Sequence, residues 1–269
     1  VIFDMSDHVN DIFEMFPDND LPTRANPAAF YLFKVDEKAE KLDEDKRKLF
    51  HSLVMKLMFI CKRGRPDIST PVAFLSTRVQ QADIDDWKKL KRVVSYLKSM
   101  AGLNLTLSAE NLHVIKWWAD ASYAVHSNCR SHTGGAMTLG RGMAFSSSAK
   151  QKLNTRSSTE SELVSASDIA PQIVWTKYFL QAQGYKPQEM HLYQDNKSAI
   201  LFEENGRVSC SKRTRHINIR YFFLKDVAER EGVSIVYCPT DHMIADFFTK
   251  PLQGKRFAEF RDKILGLSV

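Results

Sequence analysis

The sequence has few cysteines and no long apolar run. Its four cysteines, Cys61, Cys129, Cys210 and Cys238, are scattered and form no C-x-x-C pair, which argues against a disulfide-rich secreted scaffold and against a zinc site. No stretch has the pattern of a signal peptide, and none is long enough to span a bilayer. We therefore expect an intracellular protein with reduced thiols, neither secreted nor embedded in a membrane.

Strong charge of one sign is also missing. The net charge is +6 and the pI about 9.0, with 26% charged and 43% hydrophobic residues in a chain of 269. This composition suits a globular protein with one large domain or two ordinary ones. Basic clusters at 62–65, 88–92, 150–152 and 212–216 are spread along the chain. Each alone is explained by a solvated surface, but clusters beside a carboxylate site would hold a polyanion.

The pattern of apolar residues changes near residue 108. Before that point, 46–61 and 84–98 carry apolar residues at spacings of three and four, which predicts a mostly helical segment. The earliest stretch is interrupted by prolines and is expected to be rich in loops. The change predicts two domains, 1–108 and 109–269.

The second domain is predicted to have the order strand, strand, strand, helix, strand, helix, helix, strand, helix. The predicted strands and helices are 114–119, a hairpin within 134–145, 157–184, 190–194, 198–204, 216–231, 233–238 and 245–265. Pro171 is expected to kink or restart the helix at 157–184, and Pro251 to interrupt the terminal helices within 245–265. This order is typical of an α/β (α+β) protein with a mixed sheet. An antiparallel meander is extended by strands that are reached through helical crossovers.

Four acidic residues stand at positions suited to a metal ligand. Asp120 and Asp195 each close an apolar strand, Glu162 lies in the first turn of a helix, and Asp246 opens the last helix. Carboxylates that converge at one edge of a sheet repel each other unless a cation joins them. Clustered hard oxygens suit Mg²⁺, and a pair of such ions suits phosphodiester cleavage.

Each acid taken alone also has a structural explanation. Asp120 is explained as a turn former, Asp195 as an N-cap and Asp246 as a surface carboxylate. Glu160 competes with Glu162, but the two point about 200° apart on a helix. Glu160 completes a capping box, whereas Glu162 lies on the stripe that faces the sheet, where a carboxylate is costly unless a charge or metal meets it.

His242 is open to two interpretations. It is a proton donor or acceptor near the site at neutral pH, or an exposed loop histidine, and the sequence favours neither.

Seven motifs occur in a fixed order: WADASYAVH from Trp118, RSHTGG from Arg130, SAKQK from Ser148, SSTESEL from Ser157, YQDNKSA from Tyr193, RHINIR from Arg215 and ADFFTKPL from Ala245. Together they resemble the ribonuclease H end of the Pol polyprotein of copia-type LTR retrotransposons, over roughly residues 112–255. The helical half is similar to the thumb and connection that follow the polymerase palm in that family, at 50–54, 65–68, 74–76 and 87–98.

The resemblance implies a ribonuclease H-like five-stranded mixed sheet, preceded by a thumb/connection-like segment. It implies an Asp-Glu-Asp-Asp site at Asp120, Glu162, Asp195 and Asp246 that cuts the RNA strand of an RNA–DNA hybrid with two Mg²⁺ ions, with Mn²⁺ able to substitute. The implied location is a cytoplasmic virus-like particle or the nucleus. The expected partners are the hybrid and the upstream polymerase domains of the same polyprotein, with dimerisation left open.

No Tyr-x-Asp-Asp motif is present, so we expect a C-terminal fragment that begins after the polymerase active site and makes no DNA alone. Candidates for contacts with the hybrid are Ser122, Ser148, Lys150, Lys152, Asn196, Lys197, Arg213, Arg215 and His216. The alternatives are a non-catalytic hybrid-binding or structural remnant of a reverse transcriptase, and another nuclease of the same fold, such as an integrase or exonuclease.

Overall fold

The computed structural model describes residues 1–18, 20–197 and 215–267, with the backbone alone for 215–218. The helix predicted at 198–204 therefore lies outside the described residues. The chain folds into two compact units: the first comprises Val1–Leu107 and Lys250–Val269, and the second comprises Ser108–Thr249. The sequence division placed 250–269 with the second domain. In the structure this segment belongs to the first unit, where the apolar side chains of its helix are buried.

The first unit is mainly helical. Its helices are α1 (Ser6–Met15), α2 (Glu44–Arg63), α3 (Ser69–Ser76), α4 (Ile84–Ser99) and α7 (Gly254–Leu265). The helices predicted at 46–61 and 84–98 correspond to α2 and α4. The short antiparallel pair β1 (Ile2–Phe3) and β2 (Leu105–Thr106) was not predicted, because two-residue strands leave no periodicity in a sequence.

A buried ion pair fixes the turn that follows α2. Arg65 donates from Nε and Nη2 to Oδ1 and Oδ2 of Asp67, both at 2.9 Å. The Tyr96 hydroxyl on α4 donates to the same carboxylate at 2.8 Å. The two charges are fully buried, and such a pair is tolerated only when hydrogen bonds satisfy both groups. The Arg-Pro-Asp segment therefore joins the end of α2 to α4.

The second unit contains a five-stranded mixed sheet. Its strands are β4 (Val114–Ser122), β5 (His132–Thr138), β7 (Phe145–Lys150), β8 (Glu189–Gln194) and β9 (Val233–Tyr237), in the spatial order β7-β5-β4-β8-β9. The first three strands in space are antiparallel, and β8 and β9 extend them in parallel from β4. A small pair, β3 (Ser108–Ala109) and β6 (Gly140–Arg141), flanks this sheet. The predicted α/β mixed-sheet fold is confirmed.

Helix α5 (Ser158–Ala182) packs on one face of this sheet. Ile115, Trp117 and Ala119 alternate along β4 toward that face, and leucine, valine, alanine and isoleucine side chains of α5 complete the core. Helix α5 continues through Pro171, so it does not restart there. Helix α6 (Arg215–Glu231) lies beside α5, and a Lys177–Glu231 ion pair of 2.9 Å joins the two.

Two local features differ from the sequence prediction around the acidic residues. Strand β4 runs beyond the predicted end at residue 119, so Asp120 is paired with Gly134 inside the sheet instead of forming a turn. Asp246 lies in a 3-10 helix, Ile244–Phe248, rather than opening the last helix, and the predicted interruption at Pro251 separates this 3-10 helix from α7. In the part of the chain that the structure describes, no helix has the length and apolar character needed to traverse a bilayer.

Candidate active site

The structure brings three of the four predicted acids together. One carboxylate oxygen each from Asp120, Glu162 and Asp195 lies within 4.8 Å of the other two. Asp120 and Glu162 are only 1% and 5% exposed, and Asp195 is half-buried. These residues come from β4, α5 and the end of β8, so three rigid elements position the group.

Asp120 is held from two sides. The Thr249 hydroxyl donates to its Oδ2, and the Ser165 hydroxyl donates to its backbone carbonyl at 2.7 Å. Because Ser165 stands three residues after Glu162 on α5, the second bond fastens the helix that carries Glu162 to the strand that carries Asp120. Gly134, which pairs with Asp120 across the sheet, allows the 3-10 helix Ile244–Phe248 to pack close to β5. Any larger residue would clash, because a Cβ at this position would lie 2.8 Å from the Ala245 carbonyl oxygen.

Glu162 lies in the second turn of α5, after a well-formed N-terminus. The Ser157 hydroxyl accepts from the Glu160 backbone N–H at 3.2 Å, and the Glu160 carboxylate accepts from the Arg156 N–H at 2.8 Å. Glu160 therefore has the capping role predicted for it, with its return bond made one residue earlier than in the usual box. Glu162 is thereby left to face the sheet.

Asp195 is placed by the parallel register of β4 and β8. Trp118 pairs with Tyr193 in that register, and their rings stack at 5.2 Å. Two residues further along each strand come Asp120 and Asp195, so side-chain alternation sets them at the same height. The Thr240 hydroxyl donates to Asp195 Oδ2 at 3.1 Å.

Asp246 lies near the group but outside the close cluster. It sits in the 3-10 helix Ile244–Phe248 and is 1% exposed, so the surface explanation does not hold. Burial and the negative charge of Asp195, and more weakly that of Asp246, raise the pKa of the Cys238 thiol, which places both acids near this residue. The exposed His242 lies in the preceding 3-10 helix, Thr240–His242.

The candidates for substrate contact are in varied settings. Ser122 is buried in β4, Lys150 and Asn196 are half-buried, and Lys152 and Lys197 are exposed. The Lys197 ammonium stands 4.7 Å from the Tyr237 ring centroid. Arg213 lies outside the described residues, and Arg215 and His216 begin α6 with their side chains undescribed.

Ser148 belongs to a buried chain that the sequence analysis missed. Its hydroxyl donates to the Phe248 carbonyl at 2.8 Å and so accepts from His132 Nε2 at 2.8 Å. Neutral His132 then accepts at Nδ1 from His126 Nε2, 3.0 Å away. The chain connects β5 and β7 to the segment that bears Asp246. The only sequence signal was the pair of histidines in neighbouring motifs, which does not reveal a contact.

The donor chemistry of the cluster fits a hard divalent cation. Three carboxylates supply oxygen ligands only, and an ion with oxygens about 2.0–2.6 Å away spans ligand pairs of roughly 4–5 Å. Asp120, Glu162 and Asp195 are therefore the residues that would hold it. No histidine or cysteine belongs to the cluster, so its ligand set is unlike that of a structural zinc site.

Comparison with known proteins agrees with the ordered motifs. No family model matches the chain. It is 28% identical over 219 residues to a retrovirus-related Pol polyprotein from transposon TNT 1-94 of Nicotiana tabacum, and 30% identical over 202 residues to one from transposon RE2 of Arabidopsis thaliana. These matches cover 81% and 74% of this chain but only 16% and 14% of the relatives. The resemblance to a segment of a transposon Pol polyprotein is confirmed.

Two solved structures also match part of the chain. LC11-RNase H1 matches with a TM-score of 0.40 and 13% identity, over 51% of this chain and 92% of its own. A foamy viral protease-reverse transcriptase in complex with an RNA/DNA hybrid matches with a TM-score of 0.45 and 12% identity, over 88% of this chain and 27% of its own.

Proposed function

We propose that this chain, whose homologues are retrovirus-related Pol polyproteins of transposons, is a metal-dependent ribonuclease H that cuts the RNA strand of RNA–DNA hybrids. The observation that carries the proposal is the meeting of Asp120, Glu162 and Asp195, whose oxygens lie within 4.8 Å of one another. Burying carboxylates side by side is unfavourable without a cation. Because the clustered carboxylates destabilise the fold when no cation is bound, we expect the site to bind a divalent cation that serves its function.

The residues of the chain would act mainly by positioning. Thr249 and Thr240 each hold one carboxylate by a hydroxyl bond, so that these oxygens are fixed before an ion or substrate arrives. Two Mg²⁺ or Mn²⁺ ions, when bound, would activate the attacking water and stabilise the departing 3′ oxygen. Asp246 is buried beside this group and would serve as the fourth acid.

Hybrid recognition would depend on groups at the rim of the site. Asn196 and Lys197 directly follow Asp195, and Lys150 and Lys152 end and follow β7. Amide and hydroxyl groups would contact 2′-hydroxyls of the RNA strand, and the cations would contact phosphates. We further propose that the chain works inside the cell, together with the polymerase domains of the same polyprotein.

Two glutamates in one turn of α5 provide a matched test. Glu162→Gln removes a charge from the cluster, whereas Glu160→Gln changes an equally sized side chain at the cap and preserves its hydrogen bonding. Cleavage of a labelled RNA–DNA hybrid in Mg²⁺ should fall by at least about a hundredfold in Glu162→Gln and should remain close to wild type in Glu160→Gln. Equal activity of Glu162→Gln and wild type would show that the cluster is not catalytic.

Two other outcomes would favour the alternatives. Mg²⁺-independent binding of the hybrid without cleavage by the wild-type chain would indicate a non-catalytic remnant. Cleavage of duplex DNA in preference to the hybrid would indicate another nuclease of the same fold.

A further inference from the structure

A basic pocket lies in the first unit, whereas the carboxylate cluster belongs to the second unit. It has a volume of about 310 Å³ and is formed by residues 22–32 and one face of α4. Its wall carries one carboxylate and five cationic side chains: Asp85, Arg24, Lys88, Lys89, Lys91 and Arg92. The basic cluster at 88–92 was predicted to be a solvated surface if taken alone, or to hold a polyanion together with the other basic clusters beside the carboxylate site.

Only part of this positive charge is compensated. Lys89 pairs with Asp85 at 2.9 Å, and Lys91 pairs with Asp18 at 3.0 Å. Among the residues that the structure describes, Arg24, Lys88 and Arg92 have no carboxylate within 4.0 Å. Like charges gathered in one pocket repel each other, and an anion would remove that cost.

Arg92 is oriented without being neutralised. Its Nη2 donates to the side-chain oxygen of Asn26, Asn26 donates to Gln253 at 2.8 Å, and Gln253 donates to the Ala28 carbonyl at 2.9 Å. Every partner in this chain is uncharged. The buried Nε of Arg92 has no hydrogen-bond partner within the described chain. Burial, and then the charge of Arg24, lowers the pKa of Arg92, as expected for a half-buried cation with a second cation in the same pocket.

Two exposed aromatic rings stand at the edge of the pocket. Tyr31 lines the pocket and is 49% exposed, and Phe30 beside it is 78% exposed. Their rings meet edge to face at 5.1 Å. Aromatic faces next to uncompensated arginines are the combination that holds single strands, because phosphates bind the cations while unpaired bases stack on the rings.

We infer that this pocket binds a backbone phosphate of a single-stranded nucleic acid at Arg24 and Arg92, with neighbouring bases stacked on Phe30 and Tyr31. Phosphate fits these groups because guanidinium donors match its oxygens in pairs. A duplex would fit less well because its bases are already stacked on each other. The assignment does not depend on nuclease activity, since it concerns the other unit.

Binding of a labelled single-stranded oligonucleotide to the whole chain in EDTA tests this site without cleavage. Arg24→Gln should weaken binding and reduce the slope of log Kd against log salt concentration by about one, as for the loss of one phosphate contact. Phe30→Ala should weaken binding by about tenfold. Because Arg24 is exposed and its side chain has no ion pair, this variant is expected to keep its thermal stability.

Lys98→Gln is the matched control, since it removes one exposed positive charge from the end of α4 outside the pocket. It should leave the salt slope unchanged. If Arg24→Gln and Lys88→Gln both bind the strand with the wild-type affinity and salt slope, the pocket is not a phosphate site. If adenosine monophosphate or inorganic phosphate displaces the strand as effectively as an unlabelled oligonucleotide, the pocket takes a free phosphate and the assignment to a strand is overturned.

Discussion

Thr249 is a single residue that positions the carboxylate of Asp120. Its hydroxyl is fully buried and donates to Asp120 Oδ2, although the two residues are 129 positions apart in the chain. A hydrogen bond to a charged group contributes about 1.5–3 kcal/mol. The bond also fixes the rotamer of Asp120, whose carboxylate lies in the cluster with those of Glu162 and Asp195.

This leads to a prediction for Thr249. Replacement by valine keeps the shape but removes the donor, and it should lower kcat for hybrid cleavage by about tenfold or more. Replacement by serine keeps the hydroxyl and should restore most of the activity. The measurement is steady-state cleavage with the Mg²⁺ concentration varied, in which valine should also raise the concentration needed for half-maximal rate. Equal rates for valine and serine would contradict the positioning role.

The 3-10 helix Ile244–Phe248 shows how an element is fixed by distant partners. It packs across Gly134 of β5, and its last carbonyl accepts the bond from Ser148 that ends the His126–His132 chain. Asp246 is carried on this short helix. Since 3-10 helices have weak internal hydrogen bonds, these outside contacts decide where Asp246 lies.

The buried histidines make the second unit sensitive to acid. Burial, and then Lys150, lowers the pKa of His126 to about 4; burial, then His126 and Lys150, lowers the pKa of His132 to about 3. An unfolded histidine titrates near 6.5, so below pH 6.5 protons bind preferentially to the unfolded chain. The stability of the fold should therefore be complete above pH 6.5 and decline by several kcal/mol as the pH falls from 6.5 toward 3.

Urea unfolding at pH 7 and pH 5 tests this prediction. His132→Gln, which cannot take up a proton, should lose less stability between the two pH values than wild type. His113→Gln replaces an exposed histidine of the same unit and should show the wild-type pH dependence. If His132→Gln and wild type respond equally to pH, the buried pair is not responsible.

At the scale of the whole molecule, the first unit is built from both ends of the chain. Helix α7 buries Phe257, Phe260 and Ile264 there, and the Tyr96 ring on α4 meets Phe257 edge to face at 5.9 Å. The second unit, Ser108–Thr249, is continuous in sequence. The first unit therefore depends on residues 250–269 for part of its core, whereas the second unit contains none of them.

Truncation after Leu252 should expose this difference. Burial of each large apolar side chain contributes about 1.5–3 kcal/mol, so losing three should remove about 5–9 kcal/mol, which is comparable with the whole stability of a small unit, about 5–15 kcal/mol. We expect amides of α2 and α4 to lose their protection from hydrogen exchange, while amides of β4 and β8 keep theirs. Protected amides in both units of the truncated chain would show that α7 is dispensable.

The features that could be predicted from the sequence are those set by local patterns of residues. The apolar spacing of α2, α4 and α5 and the apolar runs of β4 and β8 come from neighbouring residues, which a sequence displays directly. The choice between Glu160 and Glu162 also rested on local geometry, because residues two apart on a helix cannot face the same point. The end of β4 and the 3-10 form of the segment that carries Asp246 were missed, because both depend on packing against β5.

The sequence by itself determined the order of strands and helices, the mixed sheet and the acids that meet on it, since periodicity, capping and strand ends are properties of neighbouring residues. The tertiary structure alone decided that Thr249 holds Asp120, that His126 and His132 are hydrogen-bonded in a buried chain, and that α7 belongs to the first unit. It also decided that Arg24 and Arg92 line one pocket. Each of these contacts joins residues from separate segments, and only the packing of the folded chain brings them within hydrogen-bonding or electrostatic reach.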